Sequence, residues 1–335
     1  MKGIGFGSKW FKFLTLMAFW LWVFSFSAAS VLAAPLKVVV GLPHRVLFSV
    51  AVAVYVAEER GFFKEAGIEI DPVFTKGGGE TVQGVVSGDI NVAMATGLFA
   101  VLGAFEKGAP VMIVAAEITG MDTFWYALSN SPIRKLEDVA GKKVAFSTPG
   151  SSSHLAVLAL ADQLKAMGLK PSVSVSLGGL PDAFTGVKTG QADLGWSVPP
   201  FMLDRVEKGE LRIVVRGSDI IALRDLTMRV HFANANFAKK NPEALKGFLR
   251  AQQKGLDFMF ANPKETTKIW MKRADLKLPE ATVLKTWDFY TRSAMAAKPI
   301  KGIETTMKDA VQFKFLKAPL SQAEVAKLID LSYLP

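Results

Sequence analysis

The chain has 335 residues, half of them hydrophobic, a formal net charge of +10 and no cysteine. Without cysteine there is no disulfide, no thiolate metal site, no cysteine nucleophile and no lipoprotein anchor of the kind attached to an N-terminal Cys. Lys and Arg are spread along the chain with no long basic run and no nucleic-acid motif, so the charge implies solubility and a bias toward anionic small partners, and argues against nucleic acid.

Lys2, Lys9 and Lys12 precede an apolar stretch from Phe13 to Phe26, interrupted only by Thr15 and Ser25. The small residues Ser27-Ala28-Ala29-Ser30 and the sequence Val31-Leu32-Ala33 follow. Charged, apolar and then small is the order of a secretory signal peptide, here over residues 1–33. Cleavage is expected after Ala33, because a cut after Ala34 would leave Pro35 at the first position beyond it. The apolar core is short of the roughly 20 residues that a spanning helix needs. Cleavage is therefore expected over retention as an anchor, and the mature protein is expected in a periplasm.

Strands and helices alternate from Lys37 onward. Lys37 to Leu42 reads as a buried strand. A helix from Leu47 to Arg60 is stopped by Gly61, and Ile68 to Thr75 is the next strand. Gly77-Gly78-Gly79 opens a short helix through Val86, Ile90 to Ala95 is a strand, Leu98 to Lys107 a helix and Val111 to Ala116 a strand. This grammar implies a mostly parallel sheet covered on both faces. It restarts with a strand over Lys143 to Phe146, a helix over Leu155 to Met167 and a strand over Ser172 to Ser176. Then come a helix over Pro181 to Lys188, a strand over Asp193 to Ser197, a helix over Pro200 to Lys208 and a strand over Leu211 to Val215. From Pro242 the pattern is mainly helical, including a long helix over Pro279 to Ala296. Phe124 to Leu128 and Leu226 to Phe232 read as crossings between the two units. The fold class is α/β, with a discontinuous first lobe (residues 36–126 plus 226–335) and a second lobe (127–225).

Five segments carry a family resemblance. They are Tyr55-Val56-Ala57-Glu58-Glu59-Arg60-Gly61-Phe62-Phe63 with Gly67-Ile68; Val85-Val86-Ser87-Gly88-Asp89-Ile90; Lys135-Leu136-Glu137-Asp138-Val139 with Gly150-Ser151-Ser152-Ser153-His154; Gly190-Gln191-Ala192-Asp193; and Asn241-Pro242-Glu243-Ala244-Leu245. In order and spacing the chain resembles the periplasmic substrate-binding proteins of ABC importers, in the nitrate/sulfonate/taurine and thiamine-precursor branch called SsuA/THI5-like. The resemblance implies a two-lobed, type II-like periplasmic binding protein fold of two Rossmann-like halves joined by two hinge crossings. It also implies a monomer that captures a small molecule by hinge closure, presents it to a membrane permease served by a separate ATPase, and needs no cofactor. The motifs mark architecture and do not name the ligand.

In open parallel sheets a ligand binds beyond the carboxyl ends of the strands, so the loops after strands hold the candidates. The first is Ser147-Thr148-Pro149-Gly150-Ser151-Ser152-Ser153-His154, which opens a helix. Free N–H groups and hydroxyls at a helix start suit an oxyanion. An ordinary serine cap would use one hydroxyl, and this loop carries more. Gly77-Gly78-Gly79-Glu80-Thr81 offers another helix start, although Glu80 would oppose a nearby anion. After the first strand, His44 and Arg45 offer a donor and a cation. Thr96 and Gly97 follow the third strand. Trp196 can stack on a flat ligand, with Ser197 beside it, although core packing is an alternative for Trp196. Trp125, Met228 and His231 are assigned to core or hinge, and alternation places His231 on the same face as Arg229. An anion resembling sulfonate, nitrate or carboxylate is the preferred ligand, with a neutral aromatic or pyrimidine as the alternative. The histidines are dispersed without a metal-ligand spacing and no activated nucleophile is evident. A binding protein is therefore expected over a THI5-like enzyme on the same scaffold or a periplasmic sensor.

Overall fold

The computed structural model describes Met1 and residues 35–335. The expected leader beyond Met1 lies outside the described residues. Leu36–Pro335 forms one compact unit. No helix among the described residues is long and apolar enough to cross a membrane.

The strands are β1 (Leu36–Pro43), β2 (Ile68–Thr75), β3 (Val92–Gly97), β4 (Val111–Thr119), β5 (Phe124–Leu128), β6 (Lys143–Phe146), β7 (Val173–Ser176), β8 (Gly195–Ser197), β9 (Leu211–Arg216) and β10 (Thr227–Asn234). The helices that matter below are α1 (Ala53–Glu59), α2 (Gly78–Ser87), α3 (Leu98–Glu106), α4 (Ser152–Ala166) and α5 (Leu180–Lys188). A first sheet runs β2-β1-β3-β10-β4. β1 pairs in parallel with β2 and β3, while β10 is antiparallel to both β3 and β4. Its central strands are buried on both faces, as in a sheet covered by helices: every residue of β3 and β10 is buried, including Arg229 and His231 on β10.

The remaining strands repeat this plan. β5 is antiparallel to β8 and β9, β6 is parallel to β7, and one parallel bridge between Val144 and Leu194 joins the two groups. In each half the single antiparallel strand is the one that arrives from the other half. The segments expected as crossings, Phe124–Leu128 and Leu226–Phe232, are therefore strands built into the sheets they enter, and the sequence could not separate an arriving strand from its approach. The crossings proper are the short stretches before them. They are zipped side by side, with Gly120 N–H donating to Leu226 O (3.0 Å) and Gly217 N–H to Thr123 O (2.7 Å). Gly217 permits this approach, because a methyl group there would sit 2.6 Å from Met121 Cβ.

Two helical expectations change. The first helix opens with a π-helical turn over Phe48–Val52 before α1. The helix expected over Pro279–Ala296 is only a turn over Glu280–Leu284 and a 3-10 turn over Lys285–Phe289. The chain then extends along the edge of β4, where Thr119 N–H donates to Ala294 O (2.8 Å) and Ala116 N–H to Ala297 O (2.7 Å). Satisfying an edge strand outweighs helix propensity there.

Candidate functional site

On the first sheet, β1, β2 and β3 end at a common edge. His44 follows β1 in the left-handed region (φ 71°), and its N–H donates to Thr75 O at the end of β2 (3.0 Å). Ala95, near the end of β3, is also left-handed (φ 46°). Its N–H donates to Nδ1 of His231 (3.1 Å), a buried imidazole on β10. Burial, and then the nearby Arg229, push the His231 pKa down to about 3. The ring is neutral and its unprotonated Nδ1 holds the Ala95 turn in place.

The opposite wall comes from the loop after β6. Ser151 caps α4 by accepting from His154 N–H (3.1 Å). The Ser153 hydroxyl accepts from Ser147 N–H and meets the hydroxyls of Ser147 and Ser151, each at 3.0 Å. His154 stacks on Phe146 at 4.2 Å, and its Nδ1 accepts from Gly150 N–H (3.1 Å). Three serines are thus spent on holding the loop, while Ser152, half-buried, has no side-chain partner among the described residues. Its backbone N–H sits in the first turn of α4, where no intrahelical acceptor exists.

Three helix starts converge here. A methyl carbon added to Gly97, the N-cap of α3, would lie 2.5 Å from Ser152 N and 2.8 Å from Gly150 O. One added to Gly78, the first residue of α2, would lie 3.6 Å from Gly97 N and 4.0 Å from Ser151 Cα. The amino ends of α2, α3 and α4 therefore meet around one small cavity of about 40 Å³. Each end carries partial positive charge and unpaired N–H groups. From β8, Trp196 adds an indole that is 4 % exposed, and its Nε1 has no hydrogen-bond partner among the described residues. A buried donor without an acceptor costs stability unless a ligand supplies one.

Arg229 on β10 also lines the cavity. Its Nε donates to Glu117 (2.8 Å), its two terminal nitrogens donate to the two oxygens of Asp122 (2.9 and 2.6 Å), and one of them also reaches Ser49 (3.1 Å). Tyr290 Oη donates to the same Asp122 (2.6 Å). Burial disfavours the guanidinium charge, but Asp122 and Glu117 outweigh it and hold Arg229 above its ordinary pKa. Burial likewise opposes the Asp122 charge, and Arg229 outweighs it, so that carboxyl is held down. Glu117 is instead pushed up, mainly by burial.

Of the residues expected from sequence, His44, Gly97, Ser147, Ser151, Ser152 and Trp196 come together around this cavity. The other five lie outside its lining. The Arg45 guanidinium sits over the Phe74 ring at 5.1 Å. Thr148 Oγ1 accepts from Gly79 N–H across the gap (3.3 Å). Gly150 packs against Ala100, the Thr96 hydroxyl donates to Met94 O (3.3 Å), and the Ser197 hydroxyl donates to Phe201 O (3.0 Å). Sequence reasoning missed Arg229 and Thr123, while Ser153, within the serine loop, and the Gly77-Gly78-Gly79 helix start were read as candidate surroundings without being named as ligand residues. An arginine inside the apolar strand Leu226-Thr227-Met228-Arg229-Val230 was the available signal, since a buried charge demands partners.

The architecture is that of a periplasmic binding protein, two α/β lobes with a cavity where their strand ends face each other. Residues 49–266 match the model of the family described as NMT1/THI5 like, and the chain belongs to that family. It is 23 % identical over 237 residues to the 4-amino-5-hydroxymethyl-2-methylpyrimidine phosphate synthase THI13 of Saccharomyces cerevisiae, covering 68 % of this chain and 67 % of that one. It is 24 % identical over 216 residues to the taurine-binding periplasmic protein of Escherichia coli, covering 64 % and 63 %. The structure of the alkanesulfonate-binding protein SsuA from Xanthomonas axonopodis pv. citri, bound to MOPS, superposes with a TM-score of 0.72 at 18 % identity, over 89 % of this chain and 99 % of that one.

Proposed function

We propose that this protein is the exported solute-binding component of an ABC importer and that it closes around a small oxyanion. The observation that carries the reading is the meeting of three helix amino ends around one small cavity that Trp196 also lines, its Nε1 without a partner among the described residues. Positive helix ends supplied from both walls bind an anion best when the walls are together, so the ligand shifts the population toward the closed form. In this reading the first lobe comprises the first sheet with the C-terminal helices, the second lobe comprises β5 to β9, and the paired crossings at Gly120–Thr123 and Gly217–Leu226 are the hinge. The leader is removed near Ala33, the monomer works in the periplasm, and the closed form is handed to a permease powered by a separate ATPase.

The synthase relatives supply a second reading, a pyrimidine-type ligand against Trp196. A cavity of about 40 Å³ suits a compact anionic group, and a substituted ring would require wider opening. Native mass spectrometry of the protein as purified, followed by thermal shift with nitrate, methanesulfonate, taurine and an aminopyrimidine, separates the two. An anion at a hundred times its Kd should add about 2.7 kcal/mol and raise the Tm by about 4 °C. A shift with the pyrimidine and none with any anion would overturn the anion reading.

A further inference from the structure

We propose that His44 takes up a proton from solvent when an anion enters the cavity, so that this protein captures an anion and a proton together. The proposal rests on the anion reading above and adds the residue that couples binding to pH.

The three histidines of the chain are not equivalent. His154 and His231 each use Nδ1 to accept a backbone N–H, from Gly150 and Ala95, and both are tied to loop geometry. Among the described residues the His44 side chain alone of the three has no hydrogen-bond partner. It lines the cavity, with its ring centroid 6.0 Å from that of Trp196 and the planes tilted by 51°. A left-handed backbone (φ 71°) is costly for a residue with a side chain. At this position it is held by the bond to Thr75 O.

The charges around the ring can be named element by element. Glu80 on α2 favours a proton on it, but burial outweighs Glu80 and pulls the His44 pKa down to about 4. At the start of α5, Gly179 lies beside the ring, and the Asp182 carboxylate there is engaged by Gly179 N–H (3.3 Å). β8 and the residue after it bring Trp196 and Val198, neither of them charged. Arg229 on β10 lines the same cavity and is balanced by Asp122 and Glu117. Arg45 stands over Phe74 outside the lining. The empty pocket therefore keeps the imidazole neutral. An anion about 4 Å away in a partly screened interior would favour the imidazolium on the order of a thousandfold, which brings the bound-state pKa to near neutral. The proton comes from water as the cleft fills and returns to water when the anion leaves.

The test is isothermal titration calorimetry of the mature protein with nitrate and with methanesulfonate, whose charge does not change over the range used. Runs at about pH 6 in two buffers of different ionisation enthalpy count the protons exchanged. Close to one proton should be taken up per anion bound, and affinity should rise on the order of thirtyfold from about pH 8 to about pH 5.5. In His44→Gln, which keeps a donor but cannot titrate, uptake should vanish and the pH profile should flatten. Anion binding by the wild type without proton uptake would overturn this proposal and leave the anion reading standing, as would undiminished uptake in His44→Gln. Failure of both anions to bind at any pH would remove the anion reading and this proposal with it.

Discussion

Gly97→Ala tests the proposed closure step. Gly97 has φ −59° and ψ 133°, a conformation open to any residue. The substitution therefore imposes no backbone strain, and in an open cleft it should stabilise the protein by about 0.4–1 kcal/mol through the unfolded chain. With the walls together, the new methyl carbon would sit 2.5 Å from Ser152 N, 2.6 Å from Ser151 C and 2.8 Å from Gly150 O, where ordinary contact begins at 3.4 Å. All three are backbone atoms that cannot swing aside, so the α4 loop must retreat by roughly 0.6–0.9 Å. Overpacking of this kind costs about 1–3 kcal/mol, paid only by the closed form. Calorimetric affinity for a bound anion should then fall by about five- to 150-fold. The ligand-free melting temperature should hold or rise, and small-angle scattering with anion present should report a more open particle than the wild type. Wild-type affinity in Gly97→Ala would refute the argument, because the walls would not need to meet for binding. A collapse of the ligand-free melting temperature would refute it as well, because the contact would then belong to a single rigid form.

Arg229→Met should be strongly destabilising. It strands Asp122 and Glu117, both buried, without their shared cation, and breaking such a pair costs about 3–5 kcal/mol. Urea unfolding at neutral pH measures this, and a loss below about 1 kcal/mol would mean that the network is not closed as described. The ligand-free protein should also lose stability in mild acid. His231 has a folded pKa of about 3 against an ordinary value of 6.5, so the unfolded chain binds the proton first. Stability is then lost as pH falls below 6.5 and the loss levels off below about pH 3. His231 alone contributes a loss of about 2 kcal/mol by pH 5, and the lowered pKa values of His44 and His154 act in the same direction. Equal urea midpoints at pH 7 and pH 5 would contradict the neutral, hydrogen-bonded role given to His231.

Much of this was legible along the chain because the signals are local. The apolar runs at Lys37–Leu42 and Val111–Ala116 need only neighbouring residues to read as buried strands. Gly61 ends its helix with a left-handed turn (φ 74°), as a glycine after a helical repeat implies. The serines after Phe146 marked a helix start with more hydroxyls than a cap needs. Other expectations failed where a distant group decides. Pro279–Ala296 carries a helical pattern, but its second half gives up the helix to pair with β4, more than 170 residues earlier. Arg45 is as good an anion ligand as any arginine by its chemistry, yet Phe74, on the neighbouring strand, holds it outside the cavity lining.

By itself, then, the amino-acid sequence determined the order of most strands and helices, the doubled α/β plan, and the strand ends beside which the cavity lies. Each of these follows from hydrophobic period and turn chemistry over a few residues. Only the tertiary structure decided which polar groups remain unspent at that edge. Ser153 is consumed by Ser147, Arg229 by an aspartate 107 residues away, and His231 by a backbone amide 136 residues away. Trp196 Nε1, the Ser152 amide and the His44 ring are left without a partner among the described residues, on three residues that line the cavity. A hydrogen-bonding group is available to a ligand only when no partner has been folded against it, and that depends on pairings no local pattern encodes.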